Sequence, residues 1–291
     1  MVADDKSPFT PGPGGEAWPR IGLGSWRFGE RGTDRDRDIA AVRHALDIGY
    51  RLIDTAEMYG EGGAEEVIGH ALADAQRAGL RRDELRLVSK FYPQHASAAL
   101  LRRACERSLA RLGVDQLDLY LLHWRGGVPL AETVDTLCEL QQRGRIRHWG
   151  VSNFDQADMQ ELHAAPGGPR CAANQVYYSL GTRGVEFDLL PWHARQRVMT
   201  MAYSPIDQGA LATHPALSRL AEEAGLPAAR LALAWSVRQA GVLLAAASLS
   251  LGADWPGWTG CSRRHHLPRS ATVAAPPRVR QCSDPGRRSS R

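Results

Sequence analysis

Of the 36 basic residues in this 291-residue chain, only Lys6 and Lys90 are lysine; the rest are arginine. A GC-rich coding background produces such a bias. A lysine that survives inside an apolar strand therefore points to a need for a titratable, compact ammonium that guanidinium cannot replace. Cysteine is also sparse. The five, Cys105, Cys138, Cys171, Cys261 and Cys282, are odd in number and far apart, with no CxxC pair. That pattern reads as reduced thiols in a cytosolic protein rather than as a disulfide framework. No apolar run has the length of a signal peptide or membrane span, and the first fifteen residues carry Asp4, Asp5 and several Pro and Gly. The glycine-rich dinucleotide fingerprint GxGxxG is missing too: Gly22-Leu23-Gly24-Ser25-Trp26 lacks its third glycine and the helix that should follow, so a Rossmann domain loses its main support.

A basic face is lacking as well, despite a formal charge of +4. Residues 261 to 291 hold eight Arg against one acidic residue, a net of +7, which leaves about −3 for the first 260. Such a chain has no surface with which to track phosphates, and a nucleic-acid partner is not expected.

What is present is length enough for one large core, with 43% hydrophobic residues. Short apolar runs recur every 25 to 35 residues: Leu52-Ile53, 85–88, 117–122, 146–151, 173–176 and 198–202. Amphipathic stretches separate them, such as 98–112, where Leu101, Cys105, Leu109 and Leu112 share a face. Asp34, Pro129, Asp155 and Pro227 stand at helix starts. Repeated βα units follow, as a closed barrel or a doubly wound sheet; the period alone does not choose between them.

Both architectures put chemistry at the carboxyl ends of strands. Reading off those ends gives Asp54 and Tyr59, then Lys90, then His123. Reducing a carbonyl requires a proton for the developing alkoxide and a group that orients the oxygen. Tyrosine, a weak acid with a pKa of about 10, becomes serviceable beside a cation. Lys90 supplies that cation, Asp54 holds it, and His123 donates to the substrate oxygen. Singly, each residue has a structural reading: Asp54 as a loop cap, Tyr59 as a half-buried aromatic, Lys90 snorkelling from a strand, His123 as a bonded core histidine. Jointly, four such groups on three consecutive strand ends serve one reaction. Trp26 and Trp124 wall an apolar pocket, or else simply pack the core.

The segments 52–60 (LIDTAEMYG), 88–91 (VSKF), 119–124 (LYLLHW) and 150–154 (GVSNF) closely resemble the aldo-keto reductases, most of all bacterial members related to diketogulonate reductases. The resemblance runs from about Arg20 to Val242. It implies an α/β fold of the (α/β)8 TIM-type barrel class, NADPH bound without a Rossmann fold, and the catalytic tetrad Asp54, Tyr59, Lys90 and His123. It further implies cofactor contacts at Ser25, Trp26, Asp54, Ser152, Asn153, Gln175, Tyr203 and Ser204, with Tyr203 stacking on the nicotinamide, and a substrate site of Trp26, Tyr59, His123 and Trp124. The expected function is NADPH-dependent reduction of aldehydes or ketones by a cytoplasmic monomer, with no metal, nucleic-acid or membrane partner.

After Val242 the family pattern fails. No lysine follows 243–250, and Pro, Arg and Ser accumulate to the end. The last helix and C-terminal loop are therefore expected to be missing or replaced, by a frameshift or an acquired basic tail. NADH becomes an alternative cofactor, since the basic loop for the 2′-phosphate is absent. The expected organisation is a flexible arm over 1–18, a barrel over 19–250 and a disordered tail over 251–291. Two other readings stay open: a non-catalytic nucleotide-binding barrel, and a folding-impaired pseudogene product.

Overall fold

The computed structural model describes residues 9–239 and 242–245. Eight parallel strands close into a ring in which each hydrogen-bonds its neighbours: β3 (Ile21–Gly24), β4 (Leu52–Asp54), β5 (Arg86–Phe91), β6 (Leu117–Leu122), β7 (Ile146–Ser152), β8 (Ala173–Tyr177), β9 (Met199–Tyr203) and β10 (Val242–Ala245). Helices α1 (Arg35–Asp47), α2 (Gly63–Arg77), α3 (Ala98–Leu112), α4 (Leu130–Gln142), α5 (Gln156–Ala164), α6 (Leu189–Gln196), α7 (Pro215–Glu223) and α8 (Ala228–Val237) connect them. The barrel is thus the architecture chosen, and the six apolar runs named above are β4 to β9.

The expected helix starts coincide with the observed caps. Asp34 accepts from Arg37 N, Asp155 accepts from Asp158 N in a reciprocal capping box, and Pro129 and Pro227 precede α4 and α8. Leu101, Cys105, Leu109 and Leu112 are all buried on one side of α3.

Strands buried on both faces read as continuous apolar runs, and β6, with all six residues buried, is the extreme case. Their two faces nonetheless differ. Leu52, Val88, Leu119, Leu121, Ala173, Met199 and Met201 point inward and pack together, while Ile53, Leu87, Tyr120, Leu122 and Val176 join the sheath beneath the helices. Side chains alternate along a strand. Asp54, Lys90, His123, Gln175 and Tyr203 therefore continue the inward rows, one step above an apolar floor.

Two features depart from expectation. Strand β3, Ile-Gly-Leu-Gly, carries little apolar signal, because a Cβ on Gly22 would lie 2.6 Å from the Leu52 side chain and only glycine fits that approach. The arm expected over 1–18 is in part built structure: β1 (Phe9–Pro11) and β2 (Ala17–Pro19) form an antiparallel hairpin. Trp18 from it is fully buried and joins the inward cluster of the barrel. A buried tryptophan removes so much apolar area from water that it outweighs the local Pro and Gly content. Trp18→Ala should cost about 3–5 kcal/mol, read as a lowered urea midpoint; an unchanged midpoint would show the hairpin to be dispensable. The backbone of β10 pairs with both β9 and β3 and completes the ring. The expected loss of the last helix and C-terminal loop, and the tail over 251–291, lie outside the described residues.

Candidate active site

Asp54 ends β4 and its carboxylate is buried. Oδ2 accepts from Lys90 Nζ at 2.8 Å, and Oδ1 accepts from Gln175 Nε2 at 2.8 Å. Lys90 is wholly buried on β5, and its ammonium also donates to Thr55 O at 2.8 Å and toward the Tyr59 hydroxyl at 3.4 Å. A buried charge survives only when paired and hydrogen-bonded. Burial opposes the charge on Lys90, but the Asp54 carboxylate and Tyr59 outweigh it and hold the amine above its ordinary range.

Tyr59 opens the short turn Tyr59–Gly62 after β4. The chain reverses tightly there, with φ of 58° at Gly60 and 54° at Glu61, and a Cβ on Gly60 would lie 2.5 Å from Gly29 O. Glycine after the tyrosine is thus what lets the turn seat against the β3–α1 loop. The Lys90 ammonium lies 5.0 Å from the Tyr59 ring centroid. Lys90 lowers the pKa of Tyr59, as expected, but it is not the largest influence on it. Burial raises the phenol, Lys90 only partly offsets this, and Asp54 adds to it, so the group stays above its usual value. Tyr59 is accordingly protonated throughout the physiological range.

His123 follows β6, and its ring meets that of Tyr59 edge-on, with centroids 5.9 Å apart. Burial, then the Lys90 charge, push its pKa down to about 3, so it is a neutral imidazole. Its Nδ1 is buried with no partner among the described residues. Placing the proton on Nε2 avoids stranding a donor there.

Ser152, Asn153, Gln175 and Tyr203 meet on the next three strand ends. Asn153 Nδ2 donates to His123 O at 3.0 Å and Ser152 Oγ at 3.2 Å, while its Oδ1 accepts from the Tyr203 hydroxyl at 2.8 Å. Ser152 Oγ donates to Gln175 O at 2.9 Å. Ser25, on the far side, donates to Asp54 O at 3.1 Å. These groups surround one cleft of about 330 Å³, lined by Ser25, Trp26, Asp54, Tyr59, His123, Trp124, Ser152, Asn153, Gln175, Tyr203 and Ser204. Every site residue named from the sequence therefore meets in one place, with Lys90 buried immediately behind the lining. Gly24, Met58 and Gln208 also line it and were missed. The signal for Gln208 was the Asp-Gln-Gly turn after Tyr-Ser-Pro, whose three residues all have positive φ.

A second buried histidine sits behind this wall. His193 Nδ1 lies 2.9 Å from Thr200 Oγ1, and burial depresses its pKa to about 4. Both histidines are held below the value of about 6.5 for free imidazole, so the unfolded chain binds the extra protons. Their contribution to stability is full above about pH 6.5 and is lost as pH falls toward 4. The expected loss between pH 7 and pH 5 reaches about 2 kcal/mol per histidine. Urea midpoints at the two pH values measure it, and His193→Gln should reduce the difference; equal midpoints would refute it.

The fold agrees with comparisons to known proteins. Residues 20–251 match the aldo/keto reductase family. The methylglyoxal reductase YeaE of Escherichia coli is 47% identical over 230 residues, 77% of this chain and 79% of that protein. An aldo/keto reductase from Klebsiella pneumoniae, solved with NADP and acetate, superposes with a TM-score of 0.78 at 46% identity, covering 84% of this chain and 87% of that one. A thermostable aldo-keto reductase solved with the inhibitor epalrestat gives 0.74 at 35% identity, covering 83% and 90%.

Proposed function

Because the chain belongs to the aldo/keto reductase family, we propose that it reduces small aldehydes and ketones to alcohols with NADPH, using Tyr59 as the proton donor. The observation that carries this is the contact of Asp54, Lys90 and Tyr59 in series, facing His123 across one cleft. Ser152, Asn153 and Gln175 suit the nicotinamide carboxamide, Tyr203 offers an aromatic face, and Ser25, Trp26 and Ser204 extend the binding surface. The fit has an independent sign. Asn153 is held at a φ of 59° by its bonds to His123 and Ser152, and such strained backbone gathers at ligand clamps.

NADPH, when bound, supplies the hydride to the carbonyl carbon. The chain's own residues do the rest. His123 Nε2–H and the Tyr59 hydroxyl hold the carbonyl oxygen, and Tyr59 gives its proton to the alkoxide as that charge develops. Lys90 stabilises the phenolate left behind, and Asp54 keeps Lys90 charged and in place. Trp26, though half exposed, and Trp124 line the cleft around the reacting groups. Aldehyde, hydride and proton balance to the alcohol.

The 2-oxoaldehyde named in the Escherichia coli relative is the first substrate to try. The oligomeric state proposed is a monomer. No helix among the described residues is long and apolar enough to cross a membrane, and Cys105, Cys138 and Cys171 are free thiols, as suits the cytoplasm. Residues 19–250 form the proposed catalytic unit, with 251–291 outside it. Purified protein should consume NADPH on addition of methylglyoxal, with NADH run in parallel. Tight NADPH binding without turnover of any aldehyde would replace this reading with a non-catalytic nucleotide-binding barrel.

A further inference from the structure

One buried acid has no part in the mechanism above. Glu57 lies two residues before Tyr59 and is only 5% exposed. Its Oε1 accepts from the backbone N–H of Tyr92 at 2.7 Å and from His95 Nδ1 at 2.7 Å, and its Oε2 faces Arg107 of α3 at 3.6 Å. Its own N–H donates to Lys90 O at 3.0 Å. Its backbone therefore ties the strand end of the lysine to the turn of the tyrosine, while its side chain ties the segment after β5 to a surrounding helix.

The segment it grips supports the substrate wall. The Tyr92 ring stands edge-on between His95, at 5.8 Å, and Trp124, at 6.0 Å. Its hydroxyl donates to Glu61 Oε1 at 3.3 Å, on the Tyr59 turn. Trp124 lines the cleft, whereas Tyr92 does not: it stands behind the tryptophan. Trp124 meets two rings, the strand-end His123 at 4.9 Å and Tyr92 at 6.0 Å, and aromatic pairs hold one another through their relative geometry, so one side of Trp124 follows the position of Tyr92. That in turn follows the carboxylate that fixes the Tyr92 backbone.

We propose that Glu57, acting through Tyr92, is the positioning residue that sets where Trp124 stands and so selects for compact carbonyl substrates over bulky ones. This rests on the reductase reading above and deepens it. Neither residue touches the reacting atoms, so the expected signature is a change in KM and in substrate preference, with kcat for a compact aldehyde and NADPH affinity close to those of the parent. A merely structural role would lower stability and scale all substrates alike.

The test compares kcat/KM for methylglyoxal and for a bulky aryl aldehyde in the parent, Glu57→Gln, Tyr92→Leu and the double variant, with thermal melts to confirm folding. The expected result is a shift of about three- to tenfold in the ratio toward the aryl aldehyde in each single variant, the size of a lost aromatic edge contact. The double variant should match Tyr92→Leu, because Glu57 acts through that residue. Near-ultraviolet circular dichroism attributable to Trp124, taken as the difference between parent and Trp124→Phe, should weaken in Glu57→Gln. If Glu57→Gln does not fold, Tyr92→Leu alone decides. A folded Tyr92→Leu with the parent's substrate ratio overturns the inference while leaving the reductase reading intact. A parent that turns over neither aldehyde overturns the reading itself, and the inference with it.

Discussion

Tyr59→Phe should lower kcat for an aldehyde by roughly 10²- to 10⁴-fold, the usual loss when a general acid is removed, while NADPH binds as tightly as to the parent. The substitution deletes one oxygen and little else. The ring that meets His123 edge-on and lies 5.0 Å from the Lys90 ammonium stays in place, so neither the turn nor the cleft has reason to move. Because the bond from the Tyr59 hydroxyl to the substrate oxygen strengthens as charge develops there, the loss should fall more on kcat than on KM. Steady-state kinetics with a cofactor titration check both halves. A variant that keeps more than about a third of the parent's kcat would remove Tyr59 from the donor role.

Lys90 carries the second large effect, on stability as well as rate. Lys90→Met strands the Asp54 carboxylate in a buried site with Gln175 as its remaining side-chain partner. An uncompensated buried charge of that kind costs about 3–5 kcal/mol, while the lost support for the phenolate slows turnover. Lys90→Arg keeps the charge, yet the planar fork cannot occupy the compact position from which the ammonium reaches Asp54, Thr55 and Tyr59 together. It should therefore be nearly as slow as Lys90→Met. Asp54→Asn combined with Lys90→Met should recover stability without recovering activity, since it removes both members of the pair. Urea midpoints and kcat for the four proteins check this. Near-parental turnover in Lys90→Arg would show that charge alone suffices.

Much of this was legible in the sequence for identifiable physical reasons. Strands β4 to β9 are short apolar runs at a regular period, and capping chemistry at Asp34 and Asp155 marks helix starts directly. The site residues could be read because a parallel barrel brings strand ends together, so that Asp54, Lys90 and His123 become neighbours although distant in the chain. The obscure parts are those where tertiary packing overrides local pattern. Strand β3 owes Gly22 to Leu52, and the hairpin at Trp18 lies among turn formers yet is anchored by one aromatic. How far Lys90 offsets burial at Tyr59 was not legible for a similar reason: a sequence names the neighbouring cation but not the depth of burial that opposes it. The role of Glu57 was invisible, because its partners at positions 92, 95 and 107 meet only in the folded chain.

The most direct measurement follows a label. Protein mixed with a small aldehyde and NADPH deuterated at the transferring carbon of its nicotinamide should yield an alcohol with one deuterium on the former carbonyl carbon and an oxygen-bound proton that exchanges with solvent. Tyr59→Phe should yield almost none of this alcohol in the same time. An alcohol without deuterium on carbon, or no alcohol at all from folded parent protein that binds NADPH, would contradict hydride transfer in the cleft between Tyr59, His123 and Tyr203.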